Sequence, residues 1–146
     1  MSGLFDWLFG SQKAASPTGP VVLDGDGTFD QEIVGESFYQ DTLEALFGPK
    51  TEDAVQIATN ARLVCELNNP HDSNAVAVMM KGQKVGHLSR ADAVAYRREL
   101  RSLFGHREPE AIVDALVVGG WSRANGSEGS FGVRLDLDWP LSARNR

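Results

Sequence analysis

Cysteine is nearly absent from this chain of 146 residues: Cys65 stands alone. No internal disulfide can form, and the composition points to a reducing, cytoplasmic setting. Long apolar runs are missing too. The N-terminal cluster of Leu4, Phe5, Trp7, Leu8 and Phe9 is too short for a signal core or a membrane span and has no basic flank, so no integral membrane association is expected. No G-x-x-x-x-G-K-[ST] string occurs, which excludes a P-loop ATPase. Cys65, His71, His87 and His106 lack any recognised ligand spacing, so neither metal nor cofactor is expected. Asp136 and Asp138 read as an exposed pair on one strand, which a half-buried strand already explains. The expectation is a protein without catalytic residues.

Positive charge is also scarce, with 14 Lys and Arg against 20 Asp and Glu, a net charge of −6. Its distribution is uneven. Residues 1–56 sum to −8, whereas residues 81–107 sum to +5 and form the one strongly basic stretch. A basic face of this kind can hold phosphates despite an acidic total, although the acidic remainder weakens long-range steering.

Residues 10–20 are small, carry two prolines and read as a flexible linker behind an aromatic decapeptide. Residues 1–28 are therefore expected to form an arm, residues 29–139 a domain, and residues 140–146 a tail. Phe5, Trp7 and Phe9 suit a docking peptide for a partner groove. Within the domain, Ile33 to Tyr39 reads as a first strand interrupted by Gly35, and Asp41 to Phe47 as a helical turn stopped at Gly48-Pro49. Ala58 to Leu67 alternates as a strand. Asn68 to Asn74 is a dense turn cluster in which Asp72 and Asn74 can bond nearby amides.

Ala75 to Met80 is an unbroken apolar run, fitting a fully buried strand. Lys81 to Lys84 forms the tip of a hairpin that returns through Val85 to Leu88. Ser89 and Asp92 open a helix from about Arg90 to Leu103, with Ala93, Tyr96, Leu100 and Leu103 inward and Arg90, Arg97, Arg98 and Arg101 outward. Ala111 to Val118 is a strand ended by Gly119-Gly120-Trp121, with Trp121 a plug at the sheet edge. Ser122 to Ser130 is a polar connection, and Phe131, Val133, Leu135 and Leu137 mark a half-buried strand. The pattern predicts a mainly β, α+β fold: a small, partly open barrel with a helix packed on it.

The string Asn69-Pro70-His71-Asp72-Ser73-Asn74-Ala75-Val76-Ala77-Val78, then Gly82, then Val85-Gly86-His87-Leu88-Ser89-Arg90, resembles the HIRAN domain. Val34 to Tyr39 is similar to the family's first strand with its aromatic pair. The resemblance covers roughly residues 31 to 118. It implies an OB-like barrel, found alone in bacteria and fused to fork-remodelling ATPases in eukaryotes, that captures the 3′ end of single-stranded DNA in repair or fork processing.

Carried over by position, the resemblance makes Asp72 the acceptor for the terminal 3′-hydroxyl and Asn69 a wall of the pocket. Phe38 and Tyr39 become the stacking aromatics, although neighbours on a strand face opposite sides and one of them should be core. His71 stands where the eukaryotic pattern has tyrosine, His87 matches the pocket histidine, and Arg90, with Arg97 on the same helix, supplies positive charge. Ser37 departs from the pattern, occupying the place of an arginine. Bland readings stand beside these: Asp72 and Asn74 as turn formers, His87 as a satisfied histidine at the sheet rim, the arginines as a solvated helix face. A second function class also stays open, an adaptor that uses the same scaffold and the aromatic arm to bind protein. It rests on the acidic total, Ser37 and the decapeptide.

Overall fold

The computed structural model describes residues 19–144, so the decapeptide with Phe5, Trp7 and Phe9 lies outside the described residues. The chain forms β1 (Val21–Val22), β2 (Gln31–Glu32), a 3-10 turn (Glu36–Tyr39), α1 (Gln40–Phe47) and β3 (Val55–Cys65). It continues through β4 (Val76–Met80), β5 (Gln83–His87), α2 (Arg90–Phe104), a second 3-10 turn (Gly105–Arg107), β6 (Ala111–Ser122) and β7 (Glu128–Asp136). The strands make one curled, OB-like sheet in the order β2-β7-β6-β3-β4-β5, with β1 lying parallel to β6. The long β3 is the hub. Its first nine residues pair with β6 and its last four with β4, so the sheet bends around it.

The α+β architecture is the one the alternation predicts. Side chains two apart share a face, and Leu63, Val78, Val113 and Val133 from four strands meet Tyr96 and Leu100 of α2 in one core. In β4, Val76, Val78 and Met80 point inward, while Met79 is only partly covered and looks out from the other face. Among the described residues no helix is long and apolar enough to cross a membrane.

Several expectations need correction. Ile33 to Tyr39 is not a strand. Val34 makes a single bridge to His87, Gly35 then takes φ 86°, and the chain turns into the 3-10 turn. The reason lies on β7, whose edge beyond β2 would otherwise be unpaired. Gln40 donates from its side-chain amide to the Phe131 carbonyl at 2.9 Å and accepts the Phe131 N–H at 2.8 Å, and Glu36 accepts the Val133 N–H. These side chains do the work of a missing strand.

The domain is also larger than expected at both ends. Leu23, at 1% exposure, is core, and β1 pairs with β6, so the arm and linker give way to the domain by Val21 rather than Phe29. In the presumed tail, Leu141 is buried and Ala143 bridges Leu23. Asp136 is not an exposed partner of Asp138. It is buried, and its carboxylate accepts N–H bonds from Gly27 and Phe29.

β6 runs through Gly119 and Gly120 to Ser122, pairing Trp121 with Gly129, so β7 begins at Glu128 inside the presumed polar connection. Trp121 is half-buried, lies against Gly129 and carries Arg123 over its ring at 4.2 Å. The hairpin tip is only Lys81-Gly82, since β5 starts at Gln83.

α2 is capped as expected, with the Ser89 hydroxyl accepting the Asp92 N–H at 3.1 Å and Gly105 closing the helix at φ 71°. Its buried stripe, however, is Ala93, Tyr96, Arg97 and Leu100, with Phe104 packed beside it. Leu103 falls outside that stripe and is 44% exposed. Arg97 falls inside it and is 6% exposed, not on the outer face.

Candidate nucleic-acid interface

The loop between β3 and β4 is shaped by two side chains. Asn69 Oδ1 accepts the N–H groups of His71 at 2.8 Å and Asp72 at 3.2 Å, and Asp72 Oδ1 accepts the N–H of Asn74 at 2.9 Å. Short polar side chains bonding the backbone two or three residues ahead are what fold an Asx turn. The turn-forming carboxamide is therefore Asn69; Asn74 contributes its backbone N–H. The other Asp72 oxygen has no hydrogen-bond partner among the described residues.

A pocket of about 220 Å³ opens beside this loop. Val34, Ala75 and Leu88 supply apolar lining, and Asn69, His71, Asp72, His87 and Arg90 the polar groups. The antiparallel bridge between Val34 and His87, with N–H to O distances of 2.8 and 2.9 Å, closes one side. It brings the 33–35 segment against Gly86, where an added Cβ would sit 2.7 Å from the Val34 carbonyl oxygen. Only glycine lets the two backbones approach this closely. Arg90 reaches across the mouth and donates to the His71 carbonyl at 3.1 Å.

Behind the pocket lies a network that the sequence reading missed. Glu66 accepts from Lys84, from Asn69 Nδ2 at 3.1 Å and from His87 Nε2 at 2.9 Å. Burial opposes ionisation of Glu66, but the hydrogen bonds from Lys84, Asn69 and His87 outweigh it and hold its pKa down at about 2. An ionised Glu66 makes Nε2 the donating nitrogen of His87 and so fixes the ring. The signal was present: in the period-two pattern of β3, Glu66 follows Arg62 and Val64 on the face away from the core.

The other expected site residues are placed differently. Phe38 is 86% exposed on the 3-10 turn and Tyr39 is half-buried. Neither lines the pocket and neither is core, because the turn replaces the strand that would have sent them to opposite faces. Arg97 does not line the pocket, although its charge interacts with that of Asp72. Its guanidinium makes a two-pronged pair with Glu108 at 2.8 and 2.9 Å and donates to the Ser73 carbonyl at 2.9 Å. The Glu108 hydrogen bonds raise the Arg97 pKa, and those bonds in turn lower that of Glu108.

Nor does the basic stretch form one face. Lys84 is paired with Glu66, Arg97 and Arg101 with Glu108, and Lys81 lies over the Phe47 ring at 4.9 Å. Arg90 is the arginine that lines the pocket. No set of three or more His, Cys, Asp or Glu among the described residues is arranged to hold a metal ion.

No curated protein and no solved structure matches the chain. A family model does, the HIRAN domain, over residues 26–115. HIRAN domains are in general DNA-binding modules associated with single strands and repair. The match spans well over half of the sequence and contains the Asx-turned loop, the Gly86 approach and every polar residue of the pocket, and on that ground the chain belongs to the HIRAN domain family.

Proposed function

We propose that this domain is a non-catalytic reader of single-stranded DNA that seats a free 3′ end in the pocket beside Asp72. The observation that carries this reading is the unshared Asp72 oxygen on a residue lining an open pocket among Asn69, His87 and Arg90. A terminal hydroxyl is a donor that an ionised carboxylate accepts strongly. His71 offers an imidazole face to the terminal base, and the exposed Phe38 ring offers a second platform for the base behind it. Arg90 retains donors beyond its bond to His71 for a phosphate. The half-paired basic stretch makes binding modest and strongly salt-dependent.

Fluorescence anisotropy tests this with 5′-labelled single strands ending in a 3′-hydroxyl or a 3′-phosphate at low salt. The hydroxyl strand is expected to bind at least about tenfold more tightly, the equivalent of one charge-assisted hydrogen bond. Asp72→Asn keeps a side-chain oxygen for the Asn74 N–H and is expected to erase most of the preference. Equal binding of both strands would reduce the interaction to phosphate attraction, and absence of binding by the folded protein would leave the adaptor reading in its place.

A further inference from the structure

A groove larger than the pocket, a depression of about 650 Å³, lies on the outer face of β3, β4 and β5. Its floor is Val64, Ala77 and Met79, the side chains that alternate away from the core. Arg62 and Lys84 stand on its rim, each paired with a carboxylate, Glu110 and Glu66, and Lys81 flanks them. Rim charges around an apolar trough suit an apolar peptide carrying little charge of its own, rather than a nucleic-acid backbone that would have to pass two carboxylates.

Such a peptide is part of this chain. We propose that the N-terminal decapeptide docks intramolecularly in this groove, setting aromatic side chains of Phe5, Trp7 and Phe9 on Val64 and Met79. Three observations converge. The described chain starts at Gly19, and the Val21 N–H bonds the carbonyl of Glu110 at 2.9 Å, so its first described strand is fixed beside a residue of the groove's own rim. Residues 10–18 can span up to about 30 Å when extended, whereas crossing from β1 over β6 to β3 and β4 takes only three strand spacings, about 15 Å. The decapeptide has one charged side chain, Asp6, opposite in sign to Lys81, the rim cation that pairs with no carboxylate among the described residues.

Tethering favours this occupant over a free partner, because a short linker presents its own segment at a roughly millimolar effective concentration. The inference does not depend on what the Asp72 pocket binds. A docked arm would lie next to Lys84 and Glu66, which the groove shares with the depression leading to His71.

The test is methyl NMR of the full chain labelled at methionine, comparing wild type with Phe5→Ala/Trp7→Ala/Phe9→Ala. These substitutions lie outside the described residues and change none of the described core, and the buried Met80 methyl serves as the internal control. The expected result is a Met79 methyl shifted upfield by ring currents in wild type, returning downfield in the variant at every protein concentration. An identical Met79 position in both proteins would overturn the proposal. So would a shift that appears only as concentration rises, since that assigns the groove to a second copy.

Discussion

The loop from Glu66 to Ala75 is held from two sides that differ in almost every physical respect. On the inner side, Arg97 and Glu108 are both largely shielded from water, and Arg97 divides its donors between that carboxylate and the carbonyls of the loop. On the outer side, Glu66, Lys84, Asn69 and His87 form a part-exposed network, and Asp72 and Arg90 keep capacity to spare. The contrast separates two uses of polar chemistry on one loop. A dry, fully committed ion pair fixes backbone position, whereas a wet, under-committed set can exchange water for a ligand.

Breaking the inner side should have the largest effect. Arg97→Ala leaves Glu108 shielded with only Arg101 as partner and frees the Ser73 carbonyl; a loss of about 3 kcal/mol is expected in chemical denaturation. A loss below about 0.5 kcal/mol, the usual range for surface changes, would mean that the two sides do not differ. Next in size is Tyr96→Phe. The Tyr96 hydroxyl is buried with no partner among the described residues, so its removal should stabilise the fold by about 1 kcal/mol, read as a higher thermal midpoint.

Arg90→Ala probes the outer side. Stability should stay within about 0.5 kcal/mol, while DNA affinity falls and the slope of log K against log salt shrinks by about one, as for a lost phosphate contact. The Glu66 network itself is probed by pH. Because the Glu66 pKa is depressed from its ordinary 4.5 to about 2, its stabilising contribution is complete above pH 4.5 and is lost as pH falls toward 2. A carboxyl NMR titration of Glu66 with a midpoint near 4.5 would dissolve the network as described.

Much of the fold was legible because its strongest signals are local. The apolar run of β4, the return through β5 and the Ser89 cap needed only neighbouring residues. What was misread depended on distant partners. Arg97 looked like a surface residue because it is charged, yet helical periodicity places it in the stripe with Ala93 and Leu100, and only Glu108, eleven residues on, makes its burial tolerable. The 36–40 segment has the aromatics of a strand, but its form is set by Glu36 and Gln40 bonding β7 over ninety positions away. The pocket was half legible. The motif residues Asn69, His71, Asp72, His87 and Arg90 do converge, whereas Glu66 and Lys84, which orient them, sit in ordinary strand sequence.

The close approach at Gly86 also bears on how the molecule behaves in a crowded solution. β5 is the last strand of the sheet, and its outer edge would be a template for another chain's strand. The bridge from Val34 to His87 blunts that edge at one end, and it forms only because residue 86 has no side chain to push the 33–35 segment away. A substitution at Gly86 would therefore harm the protein twice, deforming the wall of the pocket and uncovering an adhesive edge. Its visible outcome would be precipitation during expression before any loss of binding could be measured.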